Sequence, residues 1–203
     1  MRTTTPDPGN ERAADRLQRD FTAQRPNAAW VADFTHVAAW CGVVYVAFVV
    51  DVYSRAIVGW AASLTKQTGL VLDALDMALW RRERSGRPVE PGLIHHSDAG
   101  SQYTSFRFTT HLVAAGIDAS IGTVGDALDN VLMESQIGLY KTELIKPQGP
   151  WRSLAEVELA TAEWVAWFNS TRLHSAIGHL PPEEFEAIYY AQHQPNDVLA
   201  INR

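Results

Sequence analysis

Cysteine is nearly absent from this chain: Cys41 is the only one in 203 residues. An internal disulfide is excluded, and a reducing compartment, the cytoplasm, is the expectation. No run approaches the roughly 18 apolar residues that a membrane-spanning helix needs. The N-terminus lacks the charged-then-apolar order of a signal peptide. A basic surplus is missing too, with 17 Lys and Arg against 23 Asp and Glu, a net charge of −6. Nucleic-acid binders usually show the opposite balance. Much of the deficit falls in residues 151–203, which hold three basic and seven acidic side chains. Carboxylates elsewhere that bind divalent cations would no longer count as acidic. Charge therefore decides neither for nor against a polyanionic partner. Internal repeats and low-complexity tracts are also absent.

What is present is apolar bulk: 46% hydrophobic residues, with seven Trp, seven Phe and six Tyr. That suits one domain of ordinary size plus appendages. Residues 1–26 are poor in apolar side chains and contain Pro6, Pro8, Gly9 and Pro26, so they read as a linker or arm. Within them ERAADRLQRDF has the makings of a short helix. Residues 27–178 form the expected core, and residues 179–203 a last helix and tail.

In the core, WVADFTHV is strand-like, and VVYVAFVVDVYS is nearly continuous β-branched and aromatic sequence, as in a strand buried on both faces. AIVGWAA follows a short polar break, which makes an antiparallel meander of three strands. TGLVLDALDMALWRRERSG switches to helical period, with Val71, Ala74, Leu75, Ala78 and Leu79 on one face and Arg81, Arg82 and Arg84 near the dipole's negative end. GLIHHS is a fourth strand. SFRFTTHLVAAG is a helix capped by Ser105 and stopped at Gly116. IDASI is a fifth strand, and GTVGDALDN a mobile glycine-containing loop. NVLMESQIGLYKTEL is helical, with Leu128, Val131, Leu132, Ser135 and Leu139 as its apolar face. Another helix starts at Ser153 with Glu156 in a capping box. Its buried face is Val157, Ala160, Thr161, Trp164, Trp167 and Phe168. PPEEFEAIYYAQ is the last helix. Three strands followed by alternation predict an α/β fold, a mixed five-stranded sheet flanked by helices.

Asp33 lies in the first strand and Asp98 just after the fourth. Glu134 lies on the helix after the glycine loop, sharing a face with Asn130 and Lys141. If the first and fourth strands are neighbours, these carboxylates meet where strands end, the usual place for ligands in such sheets. Three carboxylates suit Mg²⁺ (or Mn²⁺), which takes oxygen ligands and borrows substrate phosphate oxygens. Two ions per site, with Asp98 bridging them, serve in-line phosphoryl displacement. Asp51 reads as the cap of the YSR turn rather than a fourth ligand. His95 and His96 lack a Cys or His partner at zinc spacing, and one is expected inside the sheet and one near the site. Ser97 lacks the Gly-x-Ser-x-Gly turn of a nucleophile.

WVADFTH, DVYSRAIVGW, LIHHSDAGSQYTS, GDALDNVLMES, YKTEL and FNSTRLHSAIGHLPPEEFE occur in this order over about residues 25–190. Asp98 and Glu134 are separated by 35 residues. In these features the chain resembles the catalytic core of integrase-type transposases of bacterial insertion sequences, and among them the insertion-sequence-three family. The resemblance implies a ribonuclease-H-like fold and a metal-binding catalytic triad of Asp33, Asp98 and Glu134. It implies DNA partners, namely terminal inverted repeats and target, and a homo-oligomer when joined to DNA. The implied reaction nicks DNA to expose a 3′-hydroxyl and transfers that hydroxyl to another phosphodiester. Lys141 occupies the place of a DNA-contacting lysine of retroviral integrases. Asn130, Arg172 and His174 are further expected DNA contacts. Ala99 and Thr171 stand where relatives commonly carry basic residues. Residues 1–26 hold no helix-turn-helix region, so the sequence reads as a core lacking it. The alternatives are a hydrolytic nuclease on the same fold and a degenerate, non-catalytic DNA-binding or dimerisation module.

Overall fold

The computed structural model describes residues 13–122 and 130–193. Strands β1 (Ala29–Ala39), β2 (Gly42–Asp51) and β3 (Ile57–Ser63) form the expected antiparallel meander. Strands β4 (Ile94–Ser97) and β5 (Asp118–Ile121) extend the sheet in parallel on the other side of β1. The order is β3-β2-β1-β4-β5, which makes β1 central. The loop expected between β5 and the next helix lies, at residues 123–129, outside the described residues.

Strand alternation divides the core in two. Val31, Val37, Val46, Phe48 and Val50 face the long second half of the chain. Trp30, Ala32, Ala47, Val49 and Val58 face the first two helices, α1 (Thr68–Arg84) and α2 (Phe106–Ala114). α1 lies close on β3. A Cβ at Gly59 would come 2.1 Å from the Ala74 carbonyl oxygen and 2.8 Å from the Ala78 Cβ, so only glycine fits there. Ser105 caps α2 by accepting from the Phe108 N–H.

On the opposite face α3 (Val131–Tyr140) continues through a π-helical segment, Lys141–Ile145, into the short turn α4 (Lys146–Gln148). α5 (Leu154–Ser170) packs beside it. Ser153 accepts from the Glu156 N–H, and the Glu156 carboxylate reaches back to the Arg152 N–H. Trp167, expected in the buried stripe of α5, is 42% exposed, and Val165 is buried instead. The face of α3 also differs from expectation. Met133, Gln136 and Tyr140 are buried, while Val131 and Ser135 are exposed. The helix is apolar nearly all round, so counting apolar residues selects no face. Packing of Tyr140 on Phe48 (ring centroids 5.0 Å) and Trp164 (5.2 Å), with its hydroxyl 2.7 Å from Thr161 Oγ1, sets the orientation.

The arm does not form the expected helix in its described part. Asp15 Oδ1 accepts from the N–H groups of Leu17 and Gln18, and Gln18 and Arg19 have φ of 48° and 65°. A side chain bonding its neighbours' backbone in this way competes with helix formation. Leu17 is buried in the core. At the other end α6 (Pro182–His193) is tied down by Glu186, which takes bonds from Arg82 and Arg87. Among the described residues no helix is long and apolar enough to cross a membrane.

Candidate active site

The parallel register of β1 and β4 pairs Ala32 with Ser97. One step further along both chains stand Asp33 and Asp98. The sheet topology therefore sets these two carboxylates side by side, although they are 65 positions apart in sequence. Alternation turns Asp33 to the same face as Val31 and Val37, the face that α3 covers. Its cross-strand partner is Phe48, on which Tyr140 packs. Met133 and Tyr140 seat α3 on the sheet. Glu134 and Lys141 each follow one of these anchors by one position, so both are carried toward Asp33.

Electrostatics agree with this placement. The Asp33 carboxyl is pushed up to about 6, first by burial and further by the negative charges of Asp98 and Glu134. The Phe34 N–H, which donates to Asp33 Oδ1 at 2.7 Å, and the charge of Lys141 act in the opposite direction. Asp98 is exposed, and its Oδ1 accepts from the Gly100 N–H at 3.0 Å. A Cβ at Gly100 would lie 2.8 Å from that oxygen, so the glycine leaves room for the carboxylate to fold back over the turn. Glu134 is exposed. Among the described residues no three His, Cys, Asp or Glu side chains converge closely enough to hold one ion. Asp33 and Asp98 are thus brought together, while Glu134 is within their electrostatic reach without closing a common ligand sphere.

The other expected residues fall into two groups. Asn130 is buried at the start of α3, with its Nδ2 donating to the Ala32 carbonyl at 3.4 Å. Its Oδ1 has no partner among the described residues. It belongs to the Asp33 corner. Arg172 and His174 do not. The Arg172 guanidinium grips Glu143 in the π-helical segment through Nε and Nη2, at 2.7–3.1 Å. His174 is buried against Phe168 at 4.4 Å between ring centroids. Asp51 is the turn cap that its position suggests: Oδ1 accepts from Tyr53 N, Ser54 N and Ser54 Oγ, and Oδ2 from Asn27 N and Arg82 Nη2. Both histidines of β4 are buried. His96 bonds Ser120 Oγ at 2.9 Å and packs against Phe21 of the arm. His95, beside Phe108, is held down to about 4 by burial and is neutral. Ser97 is buried in the strand.

Three features escape sequence reasoning. Gly100 serves Asp98 by absence of a side chain. Lys66 and Arg107 line a cleft of about 410 Å³ with Gln102 and the start of α1; the Gln102 side chain donates to the Lys66 carbonyl and ties this cleft to the Asp98 turn. Tyr103, five residues after Asp98, is buried against Phe34, His95 and Phe108. Its hydroxyl is pushed well above its ordinary value by burial and then by the charges of Asp33 and Asp98. Its position in GSQYTS is visible in the sequence, but its inward direction is not.

Comparison with known proteins bears directly on this arrangement. Two family models, each described as an integrase core domain, match residues 23–127 and 115–182. The transposase assigned to insertion sequence element IS986/IS6110 of Mycobacterium tuberculosis is 54% identical over 193 residues, which cover 95% of this chain and 69% of that protein. The transposase for insertion sequence element IS629 of Shigella sonnei is 50% identical, over 93% of this chain and 61% of its own length. The chain thus spans roughly six- to seven-tenths of the curated relatives it matches. In fold it is similar to the integrase catalytic core domain of HTLV-2, solved in complex with magnesium, with a TM-score of 0.57 at 16% identity over 80% of this chain and 98% of that one. A simian T-cell lymphotropic virus intasome chain gives a TM-score of 0.63 at 16% identity, over 94% of this chain and 62% of that one. Both neighbours support the ribonuclease-H-like architecture. This chain belongs to the integrase core domain family and is the catalytic core of an insertion-sequence transposase.

Proposed function

We propose that this core nicks the ends of its insertion sequence to expose 3′-hydroxyls and joins them to target DNA, with Asp33, Asp98 and Glu134 as its catalytic carboxylates. The observation that carries this reading is the Asp33–Asp98 pair on adjacent parallel strands, with Asp33 kept half-buried among like charges and given a single N–H donor. Burial and like charges disfavour the ionised form of such a carboxyl, and a bound cation would favour it again. The donor set is all oxygen, which fits Mg²⁺ or Mn²⁺. Two such ions would be held by Asp33, Asp98 and Glu134, and would supply activation of the attacking oxygen and neutralisation of the leaving one.

In the first reaction a water oxygen bonds to phosphorus and the bond from phosphorus to the 3′-oxygen breaks, the water's proton being released and the leaving oxygen becoming a hydroxyl. In the second that hydroxyl's oxygen attacks a target phosphodiester: its bond to phosphorus replaces the bond to the target's 3′-oxygen, the attacking hydroxyl gives up its proton and the leaving oxygen takes one up. The chain's own part is placement. Lys141 supplies positive charge at the site, and Asn130 holds the start of α3 against Ala32. Arg172 and His174 keep a role in DNA binding as supports: Arg172 clamps Glu143, two residues after Lys141, and so fixes the segment that presents the lysine. Joining two ends at once calls for at least two protomers.

Strand joining by the wild type and by Glu134→Gln tests the reading, using duplexes that carry the element's terminal repeats. Joining by the wild type alone supports it. Cleavage of RNA–DNA hybrids without joining would assign the site to a hydrolytic nuclease. Mn²⁺ binding that is equal in wild type and Asp98→Asn would remove the metal site altogether.

A further inference from the structure

Strands β3 and β4 both run in the direction of β1, since β1–β2 and β2–β3 are antiparallel and β1–β4 is parallel. They therefore end at the same edge of the sheet, β3 at Ser63 and β4 at Ser97. Through Phe48, Trp60 of β3 stands level with Asp33. The segment that leads into α1 and the turn that begins at Asp98 thus rise from the edge that carries the carboxylates. The Gln102 side chain joins them, its Nε2 donating to the Lys66 carbonyl at 2.8 Å. Between them is the cleft of about 410 Å³.

This cleft is cationic in an acidic chain. Among the described residues no carboxylate lines it, although the net charge is −6. Lys66 belongs to one wall and Arg107 to the other, and both are exposed. Among the described residues neither forms an ion pair, whereas Arg16, Arg82, Arg87 and Arg172 each hold a carboxylate. Two like charges brought to one cleft without a counter-charge repel each other and stabilise nothing in the fold. They suit a ligand that carries negative charge along its length. The N–H groups of Thr68 and Gly69, which open α1 on the same cleft without a side-chain cap from Gln67, add donors of the same kind.

We propose that Lys66 and Arg107 clamp the backbone of a DNA strand whose reacting phosphodiester lies at Asp98. This rests on the strand-transfer reading given above. Gln102, in the floor between the two walls, is four residues beyond Asp98, a reach of at most about 14 Å along the chain. At about 3.4 Å of axial rise per nucleotide, the clamped phosphates lie within about four nucleotides of the reacting one. Arg107 offers a planar fork and Lys66 a point charge, the two forms in which side chains hold phosphate. Contacts of this kind set the register of the duplex and carry no sequence information. The cleft lies on the α1–α2 side of the sheet's edge and Lys141 follows α3 on the other side, so a duplex lying across the edge is held from both.

The test is the salt dependence of DNA binding by the full chain, read by fluorescence anisotropy on a duplex carrying the element's terminal repeat and on an unrelated duplex of the same length. Lys66→Ala and Arg107→Ala are each expected to make log affinity fall less steeply with log salt, by about 1 in slope, and the double variant by about 2, on both duplexes alike. Mn²⁺ binding and thermal melting stay at wild-type values. Arg84→Ala removes the same charge at the far end of α1, about 24 Å from Thr68, and keeps the wild-type slope. An equal change in Arg84→Ala would make the effect one of net charge and overturn the clamp. Glu134→Gln, carried alongside, keeps the slope and loses joining. A double cleft variant with the wild-type slope, beside a Glu134→Gln that cannot join, overturns the clamp and leaves the strand-transfer reading standing. A wild type that neither binds nor joins the terminal-repeat duplex overturns both.

Discussion

Two carboxylates are withdrawn from water in neighbouring strands of one sheet. Asp51, at the end of β2, is fully buried and accepts five hydrogen bonds, one of them from Arg82, which also grips Glu186. Asp33, in the middle of β1, accepts one bond from its own neighbour and faces two further carboxylates. Burial raises both above the ordinary carboxyl range. At Asp51 the fold supplies compensation from within. At Asp33 it supplies like charge and leaves oxygen atoms open. A saturated carboxylate ties the chain together, whereas an unsaturated one waits for a ligand.

The comparison breaks most sharply under substitution by the amide. Asp33→Asn or Asp98→Asn is expected to lower strand joining at least about a thousandfold, while the protein stays folded. A joining assay beside a melting curve checks it. At the other carboxylate cluster the effect inverts. Glu186→Gln leaves Arg82 with a weakened partner, and breaking a buried ion pair costs about 3–5 kcal/mol. Urea denaturation should show that loss, with joining per folded molecule unchanged.

A pH series sharpens the contrast. The folded-state value of Asp33, about 6, lies above the ordinary 3.8. Between these values the folded protein binds more protons than the unfolded chain, so stability falls as pH rises from about 4 to about 6. The contribution of Asp33 is about 2–3 kcal/mol, fully lost above pH 6 in metal-free protein. Asp51 has a slope of the same sign, so the wild type must be compared with Asp33→Asn, which should lack the Asp33 part. Addition of Mg²⁺ should flatten the remaining difference. The smallest effect is expected at Gly100→Ala. Its Cβ displaces the Asp98 carboxylate, and joining should fall about tenfold with the melting temperature nearly unchanged.

Much of this architecture is legible in the residues. The five strands, the meander, the Ser105 and Ser153 caps and the capping role of Asp51 follow from alternation, turn chemistry and short-range hydrogen bonding, all of which are local. The pairing of Asp33 with Asp98 is legible only as a conditional: it holds if β1 and β4 are neighbours, and that is a fact of topology. The orientation of α3 is not legible, because Val131, Leu132, Met133, Ile137 and Leu139 offer apolar surface in several directions, and Tyr140 on Phe48 makes the choice. Arg172 shows the same limit. Its chemistry suits phosphate and carboxylate equally well, and only the fold brings Glu143 to it from 29 residues away. Among the described residues the Tyr103 hydroxyl is a donor without an acceptor, and such a lack has no signature in sequence.

The central position of β1 has a consequence for how this protein comes into being. The meander needs only residues up to 63, with short connections, and contains Asp33 but neither of the other two carboxylates. Asp98 joins when β4 adds to the far edge of β1, a pairing across a long loop that closes slowly relative to hairpins. Glu134 emerges from the ribosome later still. On the proposed reading, a half-made or half-folded molecule therefore lacks the full set of carboxylates, which come together only when the last strand pairing and the helix above it are in place.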